Sequence, residues 1–184
     1  MSYSFPKQEK GLGYAPAEVD EFIGKARLQF EDPSQFLVSS GFARHATFSM
    51  VKGGYAIAAV DTAIDRLEDT FAQKEISHQL ADQGAFALDD RLARFIESLQ
   101  GRIDRRKTKR FKRVSWPLRG YSPKQVDTFC MMLERYLFAN ATLVPSDVRG
   151  QLFKVKRGGY SETQVDAFLD RAIEVIQLRQ ALGK

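Results

Sequence analysis

The sequence predicts a mainly α-helical protein built from two tandem modules. Each module pairs two long helices, and a short extended arm and a hairpin-like turn precede each helix. Three observations lead to this prediction. A Gly-Tyr dipeptide, four further residues and a Val-Asp dipeptide occur four times within 184 residues. Apolar residues recur at helical spacing after each dipeptide. Successive tyrosines are separated by 41, 66 and 39 residues, so the four copies form two close pairs.

The repeated motif is typical of a turn that leads into a helix, because the glycine gives the backbone the freedom to reverse before the helix starts. The four copies, here called copies one to four, span residues 11–25, 52–66, 118–132 and 156–171. The residues of the repeat signature are Gly13, Tyr14, Val19 and Asp20, then Gly54, Tyr55, Val60 and Asp61, then Gly120, Tyr121, Val126 and Asp127, and finally Gly159, Tyr160, Val165 and Asp166.

Start signals and periodicity predict long helices over residues 15–31, 56–82, 122–139 and 161–182. Ser122 followed by Pro123 is typical of an N-cap and a first helical residue. Ser122 with Gln125, and likewise Ser161 with Gln164, have the spacing of a capping box. The four Val-Asp aspartates fall near helix N-termini, where a negative charge is favourable, so we expect them to have a structural role.

The copies alternate in character, which assigns them to modules. Copies one and three share a proline two residues after the tyrosine, whereas copies two and four share Gly-Gly-Tyr. We therefore expect a first module over residues 1–83, a second over 111–184 and a linker over 84–110. The linker would hold a short helix over residues 89–100, which Gly101 would end, and part of a basic run. The residues expected to share a core within each module are Val19, Phe22, Val60 and Ile64 in the first and Val126, Phe129, Val165 and Phe168 in the second.

Composition excludes several classes of protein. The 43% of hydrophobic residues is enough for a core, and no apolar run is long enough to span a bilayer. No secretory signal is expected at the start, and a single cysteine, Cys130, fits a reducing, cytoplasmic location. No nucleophile–base pair, metal-ligand cluster or cofactor loop can be assembled. We therefore expect no enzymatic activity and no cofactor.

The positive charge is concentrated in one run, residues 102–113, here called the basic segment. It holds eight Lys or Arg residues and one Asp, or +7, so the remainder of the +5 chain carries 5 − 7 = −2. Such a run is either a solvated linker or a contact for anionic lipid or nucleic acid. The residues predicted to contact a membrane or another anionic partner are Arg102, Arg105, Arg106, Lys107, Lys109, Arg110, Lys112, Arg113, Trp116, Leu118 and Arg119.

The stretch PSDVRGQLFKVKRGGYSETQVDAFLDRA, residues 145–172, resembles the DivIVA domain of bacterial cell-division and polar-growth proteins. Residues 118–129 and 48–65 resemble it over shorter lengths, and copy one more loosely. The resemblance implies a dimer of parallel helices with interlocked tips that touch membrane through an apolar residue and an arginine before the Gly-Tyr. Leu118-Arg119 is the pair that keeps this character. In this chain, paired copies would take the place of the two chains.

The expected function is therefore that of a non-catalytic interaction or adaptor protein, peripheral to the inner face of the membrane. The expected partners are other proteins, an anionic membrane surface and further copies of the chain in a homo-oligomer. The alternative is a nucleic-acid-associated protein that binds through the basic segment.

Overall fold

The structure is a computed structural model that describes residues 4–32 and 38–184. Over this part of the chain the protein is mainly helical, as predicted. The elements follow in the order β1 (Leu12–Tyr14), α1 (Pro16–Glu31), α2 (Ser40–Arg44), β2 (Met50–Lys52), α3 (Ile57–Ile103), β3 (Arg119–Tyr121), α4 (Pro123–Phe138), α5 (Pro145–Arg149), β4 (Val155–Arg157) and α6 (Glu162–Leu182).

The chain divides into two compact units, residues 1–76 and 77–184. This division differs from the predicted modules, because residues 84–110 belong to the body of the second unit and not to a linker. Four apolar side chains of this stretch are buried, which explains why it is part of a core. They are Leu88, Leu92, Leu99 and Ile103.

Helix α3 joins the two predicted helices at 56–82 and 89–100 into one element, interrupted at Gly84 with φ 80° and ψ 164°. The predicted helix end at Gly101 is wrong, since the helix continues to Ile103. A glycine inside a helix costs roughly 1 kcal/mol relative to alanine. Burial of Leu99 and Ile103 on the same face, one turn apart, outweighs that cost.

In the first unit, β1 and β2 pair antiparallel, with Leu12 opposite Lys52 and Tyr14 opposite Met50. Helix α1 and the first part of α3 bury one apolar stripe each. The four residues predicted to share this core, Val19, Phe22, Val60 and Ile64, lie in one buried cluster. Helix α2 is attached to α3 by polar contacts: Arg44 and Glu68 form a buried ion pair at 2.8 Å, and the Ser40 hydroxyl donates to Glu75 at 2.6 Å.

In the second unit, β3 and β4 pair in the same way, with Arg119 opposite Arg157. The predicted core residues Val126, Phe129, Val165 and Phe168 are all buried. Helix α6 also contacts the last part of α3, where the Arg171 guanidinium lies 3.8 Å from the Phe95 ring centre. The guanidinium of Arg179 donates to the carbonyls of Tyr136 and Leu137 at the end of α4.

Candidate functional site

The Gly-Tyr dipeptides of each unit cross and exchange backbone hydrogen bonds, an arrangement called here the Gly-Tyr crossing. In the first unit Tyr14 N–H donates to the Tyr55 carbonyl at 3.0 Å, and Tyr55 N–H donates back at 2.8 Å. In the second unit Tyr121 and Tyr160 exchange the same two bonds, also at 3.0 and 2.8 Å. The repeat therefore encodes a reciprocal contact between two copies within one unit.

Close approach of the two backbones explains why a glycine precedes each tyrosine. A Cβ on Gly120 would lie 2.2 Å from the Tyr160 carbonyl oxygen, and one on Gly159 would lie 2.1 Å from the Gly120 carbonyl oxygen. The expected need for turn freedom at these positions is wrong. The positive φ values near the turns fall on other glycines, 86° at Gly11, 68° at Gly53 and 60° at Gly158.

The tyrosine of each copy hydrogen-bonds the Val-Asp aspartate of the other copy in the same unit. The Tyr55 hydroxyl donates to both carboxylate oxygens of Asp20 at 3.1 Å, and the Tyr160 hydroxyl donates to Asp127 at 3.1 Å. The reciprocal pairs are Tyr14 with Asp61 and Tyr121 with Asp166. This exchange explains the constant six-residue spacing from Tyr to Asp, since each copy supplies one donor and one acceptor.

The pKa values of these tyrosines fit their role as donors. Burial, with the neighbouring aspartate, raises the pKa of Tyr121 to about 12, and burial likewise raises that of Tyr160 to about 12. Burial raises the pKa of Asp166, while its hydrogen bond from Tyr121 acts in the opposite direction. Because both tyrosines stay protonated at neutral pH, their hydroxyls can donate to the aspartates.

A polar residue four positions after the tyrosine attaches the arm of the other copy in three of the four cases. Ser49 N–H donates to the Glu18 carboxylate at 2.7 Å, and this bond lowers the pKa of Glu18. Lys154 N–H donates to Gln125 at 2.7 Å, and Lys112 N–H donates to Gln164 at 2.9 Å. The predicted capping boxes are therefore wrong: neither N-cap serine makes a side-chain cap, and the glutamines bind the arms instead.

Arg110 is buried, in contrast to its predicted place on a contact surface. Its guanidinium donates to the Ile103 carbonyl at 2.9 Å and to the Asp127 carbonyl at 3.0 Å, and lies 3.7 Å from the Asp127 carboxylate. Thr108 N–H donates to the same carboxylate at 2.7 Å. An ion this deeply buried needs such partners, so Arg110 attaches the basic segment to α4.

The residue after Arg110 begins an arm that sequence reasoning missed. Phe111 is buried, with its ring 5.3 Å from that of Tyr160, and Phe5 lies at 5.4 Å from Tyr55 in the first unit. Ser161 N–H donates to the Lys112 carbonyl at 2.8 Å, as Ala56 N–H does to Pro6. The sequence did contain a signal for this arm: each unit has a phenylalanine followed two residues later by a basic residue, in Phe-Pro-Lys at 5–7 and in Phe-Lys-Arg at 111–113.

Of the remaining predicted contact residues, Arg102 is half-buried and the others form two exposed groups. The Arg102 guanidinium lies 5.3 Å from the Phe111 ring centre. The first exposed group follows the end of α3 and consists of Arg105, Arg106, Lys107 and Lys109. The second lies beside the β3–β4 pair and consists of Lys112, Arg113, Trp116, Leu118 and Arg119.

The β3–β4 end of the second unit, called here the second tip, brings apolar and basic side chains together. Gly158 N–H donates to the Leu118 carbonyl at 2.9 Å, and the Arg113 guanidinium donates to the Gly158 carbonyl at 2.8 Å. The Arg157 guanidinium lies 5.9 Å from the Trp116 ring centre. Trp116 and Leu118 are 74% and 62% exposed. The residues of the second tip are Lys112, Arg113, Trp116, Leu118, Arg119, Val155, Lys156 and Arg157.

Three members of the second tip form β4 and were not among the predicted contacts: Val155, Lys156 and Arg157. The pairing of β4 with β3 places them beside copy three. The sequence of one copy taken alone could not have predicted this contact between two copies. The corresponding first tip, Leu12, Met50 and Lys52, also exposes apolar side chains, at 46% for Leu12 and 45% for Met50. It has lysine where the second tip has Arg157.

Cys130 is buried on α4, and burial raises the pKa of its thiol to about 12, so it packs as a small apolar residue. Over residues 4–32 and 38–184, no group of three or more His, Cys, Asp or Glu residues is placed to hold a metal ion. In the same ranges, no helix has the length and apolarity needed to cross a membrane. Comparison with protein-family models, with curated proteins and with solved structures finds no match for the chain.

Proposed function

We propose that this chain is a non-catalytic interaction protein that binds an anionic membrane surface through the second tip. The observation that carries the proposal is the exposure of Trp116 and Leu118 at a tip that also holds exposed basic residues, with the Arg157 guanidinium 5.9 Å from the Trp116 ring centre. An indole is stable at the membrane interface, and each Lys or Arg near an anionic leaflet contributes about 1 kcal/mol. The second tip holds five exposed basic residues: Lys112, Arg113, Arg119, Lys156 and Arg157.

We further propose that each unit is a pseudo-dimer, the counterpart within one chain of the two-chain DivIVA-type domain. The reciprocal Tyr-to-Asp bonds and the paired backbone bonds of the Gly-Tyr crossing support this, because each is repeated between the two copies. The chain would then act as a cytoplasmic adaptor in bacterial cell division or polar growth, with other proteins as partners.

Liposome co-sedimentation tests the membrane proposal. The chain should pellet with vesicles of phosphatidylcholine that contain increasing phosphatidylserine, and salt should release it because surface charges are screened. Trp116→Ser combined with Leu118→Ser should abolish pelleting. Phe138→Ser, which removes an apolar side chain 54% exposed at the end of α4, is the matched control and should pellet like the wild type.

A second pair of variants separates the membrane proposal from the nucleic-acid alternative. Arg105→Gln with Arg106→Gln removes exposed charge from the turn after α3, at residues that are not part of the second tip. If the second tip binds lipid, this pair should weaken pelleting less than Arg119→Gln with Arg157→Gln. Binding of duplex DNA at matched salt that is lost with Arg105→Gln and Arg106→Gln, together with no pelleting on anionic vesicles, would replace the membrane proposal with the alternative.

A further inference from the structure

The second unit has an open apolar groove beside α4 that the proposed membrane contact does not use. Its volume is about 450 Å³, and the buried ring of Phe129 forms part of its lining. Met132 and Leu152, which are 37% and 90% exposed, line it as well. The other lining residues are Lys124, Gln125, Thr128, Gln151 and Phe153. The groove is therefore an apolar depression with a polar edge, which is typical of a site for one large side chain.

The first unit shows what occupies the equivalent place. Phe22, eight residues after its tyrosine like Phe129, has the Phe42 ring stacked on it at 5.9 Å with 10° between planes. The residue that corresponds to Phe42, 13 residues before the tyrosine of its copy, is Asp147. Its carboxylate accepts the Val144 N–H at 3.0 Å. The second unit thus has the aromatic platform without an aromatic ring of its own at this position.

Charge indicates which chemistry the groove accepts. Lys124 lines the groove and is exposed, and exposed Lys154 follows the lining residue Phe153. Phe86 is 87% exposed and is the most exposed aromatic side chain among the described residues. It follows the Gly84 interruption of α3. Residues 82–90 hold three Asp and no Lys or Arg; Asp82 is exposed, whereas Asp89 and Asp90 form ion pairs with Lys184 and Arg94. An exposed aromatic ring in an acidic segment complements an apolar groove with a basic edge.

We propose that Phe86 of one copy of the chain occupies the groove of a second copy. This contact is head-to-tail, so a dimer keeps one free groove on one copy and one free Phe86 on the other, and association can continue beyond a dimer. A symmetric contact between two grooves is disfavoured, because it would bring the lysines of both edges together. The proposal does not depend on membrane binding.

The experiment measures the molar mass of the chain by light scattering across a range of protein concentrations at low salt. The wild type should rise above the 20.9 kDa of one chain as concentration increases. Phe86→Ala alone, and Met132→Glu with Leu152→Glu alone, should each stay at 20.9 kDa. A mixture of the two variants should form a complex of twice that mass and stop there, because only one intact groove meets one intact Phe86. Phe138→Ser should associate like the wild type.

Circular dichroism confirms that each variant keeps the wild-type helix content, so that loss of association is not loss of fold. A wild type that remains at 20.9 kDa at every concentration overturns the proposal. Self-association of Phe86→Ala equal to that of the wild type also overturns it and indicates a groove-to-groove contact or another surface. Formation of the mixed complex from two variants that are monomeric alone is the result that supports it.

Discussion

Gly159→Ala should destabilise the second unit strongly, although it adds a single methyl group. The new Cβ would lie 2.1 Å from the Gly120 carbonyl oxygen and 2.6 Å from that of Tyr121, against an ordinary contact of about 3.5 Å. The two backbones must therefore separate by roughly 1 Å. That separation breaks both backbone bonds of the crossing, each contributing about 1 kcal/mol, and leaves buried groups unpaired at about 1–3 kcal/mol each. We expect a loss of about 3–5 kcal/mol in the free energy of unfolding.

Gly101→Ala is the matched control in the same unit. A Cβ there would meet nothing within 4 Å, and the residue is helical, so alanine should stabilise by about 0.5–1 kcal/mol. Urea denaturation followed by circular dichroism measures both variants, and fluorescence of Trp116, the single tryptophan, reports on the second unit alone. A Gly159→Ala midpoint equal to the wild-type midpoint would refute the reasoning that close approach, and not turn geometry, requires the glycine.

Three further predictions concern the buried contacts of Asp127 and Tyr160. Asp127→Asn should cost about 3 kcal/mol, because it leaves buried Arg110 without its charged partner, whereas the exposed Asp20→Asn should cost less than about 1 kcal/mol; equal costs by urea denaturation would contradict this. In a double-mutant cycle, Arg110→Met should cost less in the Asp127→Asn background than in the wild type, and additive costs would show that the pair is not coupled. Alkaline stability should depend on Tyr160: its pKa is raised to about 12 on folding, so its contribution is fully present below pH 10 and is lost as pH rises toward 12, by about 2–3 kcal/mol. Tyr160→Phe should flatten this part of the stability curve, and an unchanged slope would refute the assignment.

The bounds of α1, α4 and α6 could be predicted from the sequence because they depend on local signals. Proline and serine before an apolar stripe place α4 at Pro123–Phe138 against a predicted 122–139. The partners of the repeated tyrosines could not be predicted, because a motif describes one copy and the bonds join two. The Phe5 and Phe111 arms were missed for a related reason. They precede their tyrosines by nine and ten residues, so they fall out of register with the repeat.

The burial of Arg110 shows what a charge pattern cannot reveal. Eight basic residues in a run of twelve have the same composition whether all are solvated or one enters the core. What selects Arg110 is its distance from Ile103 and Asp127, which becomes known only when the turn after α3 has formed. Replacing all basic residues of the basic segment together would therefore also replace buried Arg110, and a loss of binding could not be separated from a loss of folding. Substitutions at Arg105 and Arg106 avoid this, because both side chains are exposed.

The two units keep the same Gly-Tyr crossing but differ on their surfaces, and this contrast bears on where binding lies. At equivalent positions, Phe42 corresponds to Asp147 and Lys25 to Met132, which separates a covered aromatic face from an open groove. The tips differ too, since the first carries Lys52 where the second carries Arg157. Stability requires the crossing in both units, so variants of the crossing cannot distinguish a binding unit from a supporting one. Substitutions of exposed residues at one tip or in the groove change one surface at a time. The best replacement is the side chain found at the matching position of the other unit, because that side chain is already compatible with the same fold.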